Sequence, residues 1–190
     1  MNRSTLAVGV LALMLALLLG TGCIPRMVRP LLRSDPRIEQ RYDPATDSTS
    51  ISTQPFQVAL LTSFAEGEVL YEADVRLRAA CPGDALCTPP VVDLTLTTLM
   101  DEPDDGPAPG RPLVLEADGV LIETRLVSRQ ISRSHAGHEL MLQYALAFAE
   151  LEALVRSRHV VGRIGDLVVE MEGGRETLAA FLRTFRDIER

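Results

Sequence analysis

Lysine is missing altogether: every one of the 19 Lys and Arg residues is arginine. Without a lysine amine there is no Schiff-base chemistry, no attachment point for pyridoxal phosphate and no phosphate-loop lysine. Tryptophan is missing too, and aromatic residues make up only 4% of the chain. The patterns Gly-x-Ser-x-Gly, Gly-x-Gly-x-x-Gly and His-Glu-x-x-His do not occur. Acids outnumber bases 26 to 19, for a net charge of −7. An acidic body repels a polyphosphate backbone, so nucleic acid is not an expected partner. No cofactor is implied by any motif, and no catalytic or metal-binding residue is assigned. The composition is otherwise that of a globular protein, 46% hydrophobic, and the length suits one domain with a proper core.

What is present begins at the N-terminus. Arg3 opens a short polar start, Leu6 to Leu19 run without a charge, and Gly20, Thr21 and Gly22 lead to Cys23. A basic start, an apolar run and a small-residue exit form an export signal. The cysteine directly after the small residues resembles the lipobox of bacterial lipoproteins, with Gly20 where the usual pattern has Leu. The resemblance implies that residues 1–22 are a signal peptide and that Cys23 is lipidated as the first mature residue. The protein would then be tethered to a membrane of the cell envelope. Ile24 in second place, rather than Asp, fits sorting to the outer membrane, facing the periplasm. Two other readings compete. Gly20 and Gly22 suit an ordinary signal peptidase, which would give a soluble secreted or periplasmic protein. The stretch Leu6 to Ile24 is also just long enough for a retained helix. The arginines that follow it would then hold the body of the chain in the cytoplasm.

If Cys23 carries lipid, Cys81 and Cys87 remain as an even pair. Pro82-Gly83-Asp84 between them has turn chemistry, and a disulfide across this short loop is expected in an oxidising compartment. Residues 23–54 read as a flexible tether. Pro25, Pro30, Pro36 and Pro44 interrupt any helix, and Arg26, Arg29, Arg33, Arg37 and Arg41 are partly offset by Asp35, Glu39 and Asp43. These arginines form either a solvated spacer, the favoured reading, or a basic collar near anionic head groups. The end of this stretch, Asp47 to Thr53, is polar and leads towards a first strand.

From Phe56 the period changes to two. Val69, Tyr71, Ala73, Val75, Leu77 and Ala79 share one face, and Glu72, Asp74, Arg76 and Arg78 the other. Val92, Leu94, Leu96, Thr98 and Met100 repeat the pattern, so the two runs predict an antiparallel hairpin around the cysteine loop. Asp118-Gly119 predicts a second hairpin between Leu113–Glu116 and Val120–Ile131. Leu140, Leu142, Tyr144 and Leu146 predict another strand. Phe148, Leu151, Leu154 and Val155 then recur at helical spacing within Ala147–Ser157. Val160–Met171 is β-branched, with Gly162 and Gly165 marking a bulge or close packing. Leu178, Phe181, Leu182, Phe185 and Ile188 form the apolar stripe of a closing helix. The expected fold is α+β over residues 55–190: an antiparallel β-meander sheet with two C-terminal helices packed on one face. The glycine-flanked Val161 to Gly165 strand with its closing helix resembles the tail of uncharacterised envelope lipoproteins, a likeness that implies no activity.

Three groups of residues invite a chemical reading, and each has a plainer one. His135 and His138 beside Glu139 are the one ligand-like cluster; exposed histidines in a Ser/Arg/Gly-rich turn are the plainer account. The acids of Asp101–Pro112 invite a calcium reading, but Pro103 and the missing bidentate glutamate spoil the known spacing. Arg163 reads as a solvated face more readily than as an anion site. The expected function is therefore a membrane-anchored envelope lipoprotein, a non-catalytic binding or structural module with an envelope protein as its partner. The alternative is an envelope enzyme or metal-binding protein using the His135/His138 region.

Overall fold

The structure, a computed structural model, describes Asp35 and residues 37–62, 69–101 and 110–186. The leader, Cys23, the Glu66-Gly67-Glu68 turn, residues 102–109 of the acidic loop and Ile188 lie outside the described residues. The described chain holds eleven strands: β1 Ile38–Asp43, β2 Ser48–Thr53, β3 Phe56–Thr62, β4 Val69–Pro82, β5 Val91–Met100, β6 Leu113–Ala117, β7 Val120–Glu123, β8 Arg125–Ser134, β9 Gly137–Ala147, β10 Val160–Ile164 and β11 Leu167–Glu170. Helix α1, Phe148–Arg156, follows β9, and helix α2, Arg175–Arg186, follows β11 after a short 3₁₀ turn, Glu172–Gly174. The fold is α+β, antiparallel and closed by two helices, as the alternating and helical periods predict.

The pairing order is β7-β6-β10-β11-β3-β4-β5-β9-β8, with β2 also on β4 and β1 on β2. Neighbours such as β5–β9 and β11–β3 make this more than a meander. The two ends of the order, β7 and β8, are separated only by Thr124. One residue spans too little distance to cross an open sheet, so the sheet curls until its ends meet. Thr124 marks where the strand changes partner: its N–H and its hydroxyl both donate to the Leu113 carbonyl, at 3.0 and 2.9 Å. The next residue on the β6 side is Pro112, which has no N–H to continue a ladder.

Val75, Leu77, Leu94, Leu96, Leu140, Leu142, Tyr144 and Leu146 all face inward and are buried. They share one core with Phe148, Leu151 and Leu154 of α1 and Leu178, Phe181, Leu182 and Phe185 of α2. Phe185 sits edge-on to both Phe148 and Phe181, with ring centroids 5.4 and 5.1 Å apart. At the start of α1 the Glu150 carboxylate accepts the free Ala147 N–H at 2.9 Å, which helps begin the helix where β9 ends.

Two expectations need correction. The tether does not extend to residue 54, because Ile38–Asp43 and Ser48–Thr53 are strands β1 and β2. The compact unit starts at Asp35. Pro44 lies in the turn between them, where the Asp43 carboxylate accepts the Ala45 N–H at 2.9 Å and Tyr42 donates to Asp47 at 2.9 Å. Thr49, Ile51 and Thr53 are the buried face of β2. The Thr53 hydroxyl oxygen accepts the Leu77 N–H at 3.0 Å, in the gap between β2 and β3. Secondly, Val160–Met171 is not one strand but the β10–β11 hairpin, turned at Gly165 with φ +61°. Gly162 is a close-packing glycine: a Cβ there would lie 3.0 Å from Cβ of Val169.

Candidate functional site

The two cysteines meet as expected. Cys81, buried near the end of β4, and Cys87 lie at disulfide distance, with Cα atoms 5.5 Å apart. Thr49 and Gly83 fasten this corner to β2. Thr49 Oγ1 donates to the Gly83 carbonyl at 2.8 Å, and the Gly83 N–H donates to the Asp47 carbonyl at 2.7 Å. Closing so short a loop should stabilise the domain by about 2 kcal/mol on the chain-entropy account. Cys81→Ala with Cys87→Ala is therefore expected to lower the unfolding free energy by about that amount. Denaturant titration of both forms checks this, and a non-reduced digest should contain the linked peptide.

The histidine cluster is not brought to one point. His138 and Glu139 are successive residues of a strand, so their side chains leave opposite faces. His138 Nδ1 is 3.2 Å from the Asp101 carbonyl, whereas the Glu139 carboxylate accepts from Ser132 Oγ at 3.3 Å. His135 is exposed in the β8–β9 turn. His159 lies elsewhere, with its backbone N–H on Asp118. Among the described residues no group of three His, Cys, Asp or Glu side chains is placed to hold a metal. Arg163 is exposed on β10.

Asp118 has a structural task. It takes φ +49° in the β6–β7 turn, followed by Gly119 at +85°, as Asp-Gly hairpins require. Its carboxylate accepts the N–H groups of Arg158 and His159 at 3.0–3.1 Å, and these bonds hold its pKa below the ordinary carboxylate range. The turn is thereby fastened to the start of β10.

Sequence reasoning placed Arg125–Ile131 in the strand after Asp118-Gly119 but saw no site in it. Two buried polar atoms lack a hydrogen-bond partner among the described residues, Arg129 Nε and the Tyr144 hydroxyl. Both belong to the inner face where β8 meets β9. Arg129 stands opposite Leu142, and Tyr144 opposite Leu126. A register shift between Leu126 and Ser128 changes the parity of β8. Inward positions run Ile122, Thr124, Leu126 and then Arg129, Ile131 and Arg133. The bulge thus turns Arg129 onto the face where Leu140 and Leu142 of β9 are buried. Burial pushes the Tyr144 phenol well above its ordinary range, so it stays a neutral donor. A period-two count without a bulge cannot find this, because the alternation Leu126, Ser128, Gln130 simply looks mixed.

The direction of the β8 backbone groups follows from the ladder. The Phe148 N–H donates to the Pro90 carbonyl, so even-numbered residues of β9 bond towards β5 and odd ones towards β8. Ser128, Gln130 and Ser132 pair with the odd residues Gln143, Met141 and Glu139. Arg129, Ile131 and Arg133 therefore turn their N–H and C=O groups away from β9. Among the described residues β8 has no other strand neighbour. No family model matches the chain, and neither a curated protein nor a solved structure does.

Proposed function

We propose that this protein is a lipoprotein of the cell envelope, anchored through Cys23, whose domain is non-catalytic and acts by contact with another envelope protein. The observation that carries the reading is the leader: one basic residue, an uncharged apolar run, Gly20-Thr21-Gly22, then Cys23. The position of the first strands sharpens it. A tether of roughly 30 residues would reach on the order of 100 Å if fully extended. The chain between Cys23 and Asp35 can reach only on the order of 40 Å. Such a lead holds the domain close to the surface that carries the anchor. None of the described helices is long and apolar enough to cross a membrane.

Cells fed a palmitate analogue should label the wild-type protein and leave Cys23→Ala unlabelled. The mature chain should begin at Cys23. Equal labelling of both proteins, or a different mature N-terminus, would overturn the anchor. In a strain lacking the gene, an untethered Cys23→Ala form should fail to restore function, while His135→Ala with His138→Ala should restore it. The opposite pair of results would move the assignment to an enzyme or metal protein built on the histidine turn.

A further inference from the structure

We infer that the free edge of β8 is a strand-addition site for an extended acidic segment of the partner protein. The inference rests on the reading of the domain as a contact module and names the chemistry of its partner. Three observations meet on this strand. Arg129, Ile131 and Arg133 present backbone donors and acceptors that have no strand partner among the described residues, the template on which another chain can pair. Arg125, Arg129 and Arg133 recur at every fourth position with no acid anywhere in Arg125–Ser134, in a chain of net charge −7. None of the three makes an ion pair among the described residues. Finally, Arg129 Nε is buried without an acceptor, which a carboxylate arriving beside the edge would supply.

The side chains between the arginines specify the rest of the ligand. Val127 is 50% and Ile131 37% exposed. Arg129, Ile131 and Arg133 share one face, so a pairing segment would set an acid, an apolar residue and an acid at alternate positions of its own strand. A second copy of this chain is a poor occupant. Antiparallel pairing of two β8 edges about Arg129 would set Arg129 opposite Arg129, and like charges directly opposed are destabilising.

The test uses the full-length protein in detergent and a labelled peptide with Glu, Val and Glu at alternate positions separated by Thr. The peptide should bind and slow hydrogen exchange at the amides of Arg129, Ile131 and Arg133. The same peptide with Arg in place of Glu should not bind. N-methylation of its edge-facing amides should abolish binding, because it removes the ladder and leaves the charges. Arg129→Gln, and Arg133→Gln at the more exposed end of the strand, should each weaken binding by about tenfold or more. Arg163→Gln on β10 should leave it unchanged. Failure of the acidic peptide to bind, or binding indifferent to N-methylation or to both β8 substitutions, would overturn the site. The arginines would then serve only to guard an edge against pairing. Protection of the same amides without peptide, together with a concentration-dependent dimer, would overturn it in favour of a second copy. Because the assay does not depend on the anchor, its failure leaves the Cys23 labelling result standing, and the reverse also holds.

Discussion

Phe181→Ala is expected to cost about 3–5 kcal/mol of unfolding free energy. The ring is fully buried on α2, between Leu178 and Phe185, in the core that also contains the strands' inward residues. Removing it takes away the transfer energy of a whole aromatic side chain and leaves a cavity that the rigid sheet cannot collapse to fill. It also removes the edge-on contact with Phe185, and Phe185 in turn loses one of the two rings that orient it. For a domain of this size, the melting temperature should fall by roughly 10 °C. A melting curve that coincides with wild type would mean that α2 is a peripheral arm rather than part of the core.

Gly174→Ala should also destabilise, for the opposite reason. Gly174 ends the 3₁₀ turn that leads into α2, and it is buried against the ring of Phe56 at the start of β3. A Cβ at this position would overlap the ring at three of its carbons. An aromatic ring in a packed site cannot bend aside, so either the turn or the ring must move. Overpacking of this kind costs about 1–3 kcal/mol and at times more. The cause can be isolated by a second substitution. Phe56→Leu alone should destabilise by leaving space, yet combined with Gly174→Ala it should cost clearly less than the sum of the two. Strict additivity in urea titrations would show that the glycine is needed for its backbone and not for the close approach.

Much of the framework was legible in the residues. The alternation from Val69 to Ala79 and from Val92 to Met100 gave the long central hairpin because one face of each strand is buried and the other wet. Asp118-Gly119 located a turn because two successive positive φ values need those residue types. The stripe from Leu178 to Phe185 gave α2. The N-terminal strands were hidden for a physical reason. Only Ile38 and Ile51 are apolar among the inward positions of β1 and β2, and Thr49 and Thr53 are buried as satisfied hydroxyls whose partners, Gly83 and Leu77, are far away in sequence. A Ser/Thr-rich stretch beside prolines therefore resembles a linker until its partners are in place.

The sequence by itself determined the class of the fold, its helices and most of its strands, since each depends on the period of a single segment. It also determined the cysteine pairing, once Cys23 was set aside, because the loop between Cys81 and Cys87 is short. The tertiary structure alone decided where the domain starts, which strands lie side by side, and that the sheet curls until β7 runs into β8. It alone exposed the edge of β8. Whether a strand has one neighbour or two depends on residues such as Pro112 and on a bulge at Val127. Their effect is to end or shift a ladder with a distant segment, and no local period records that.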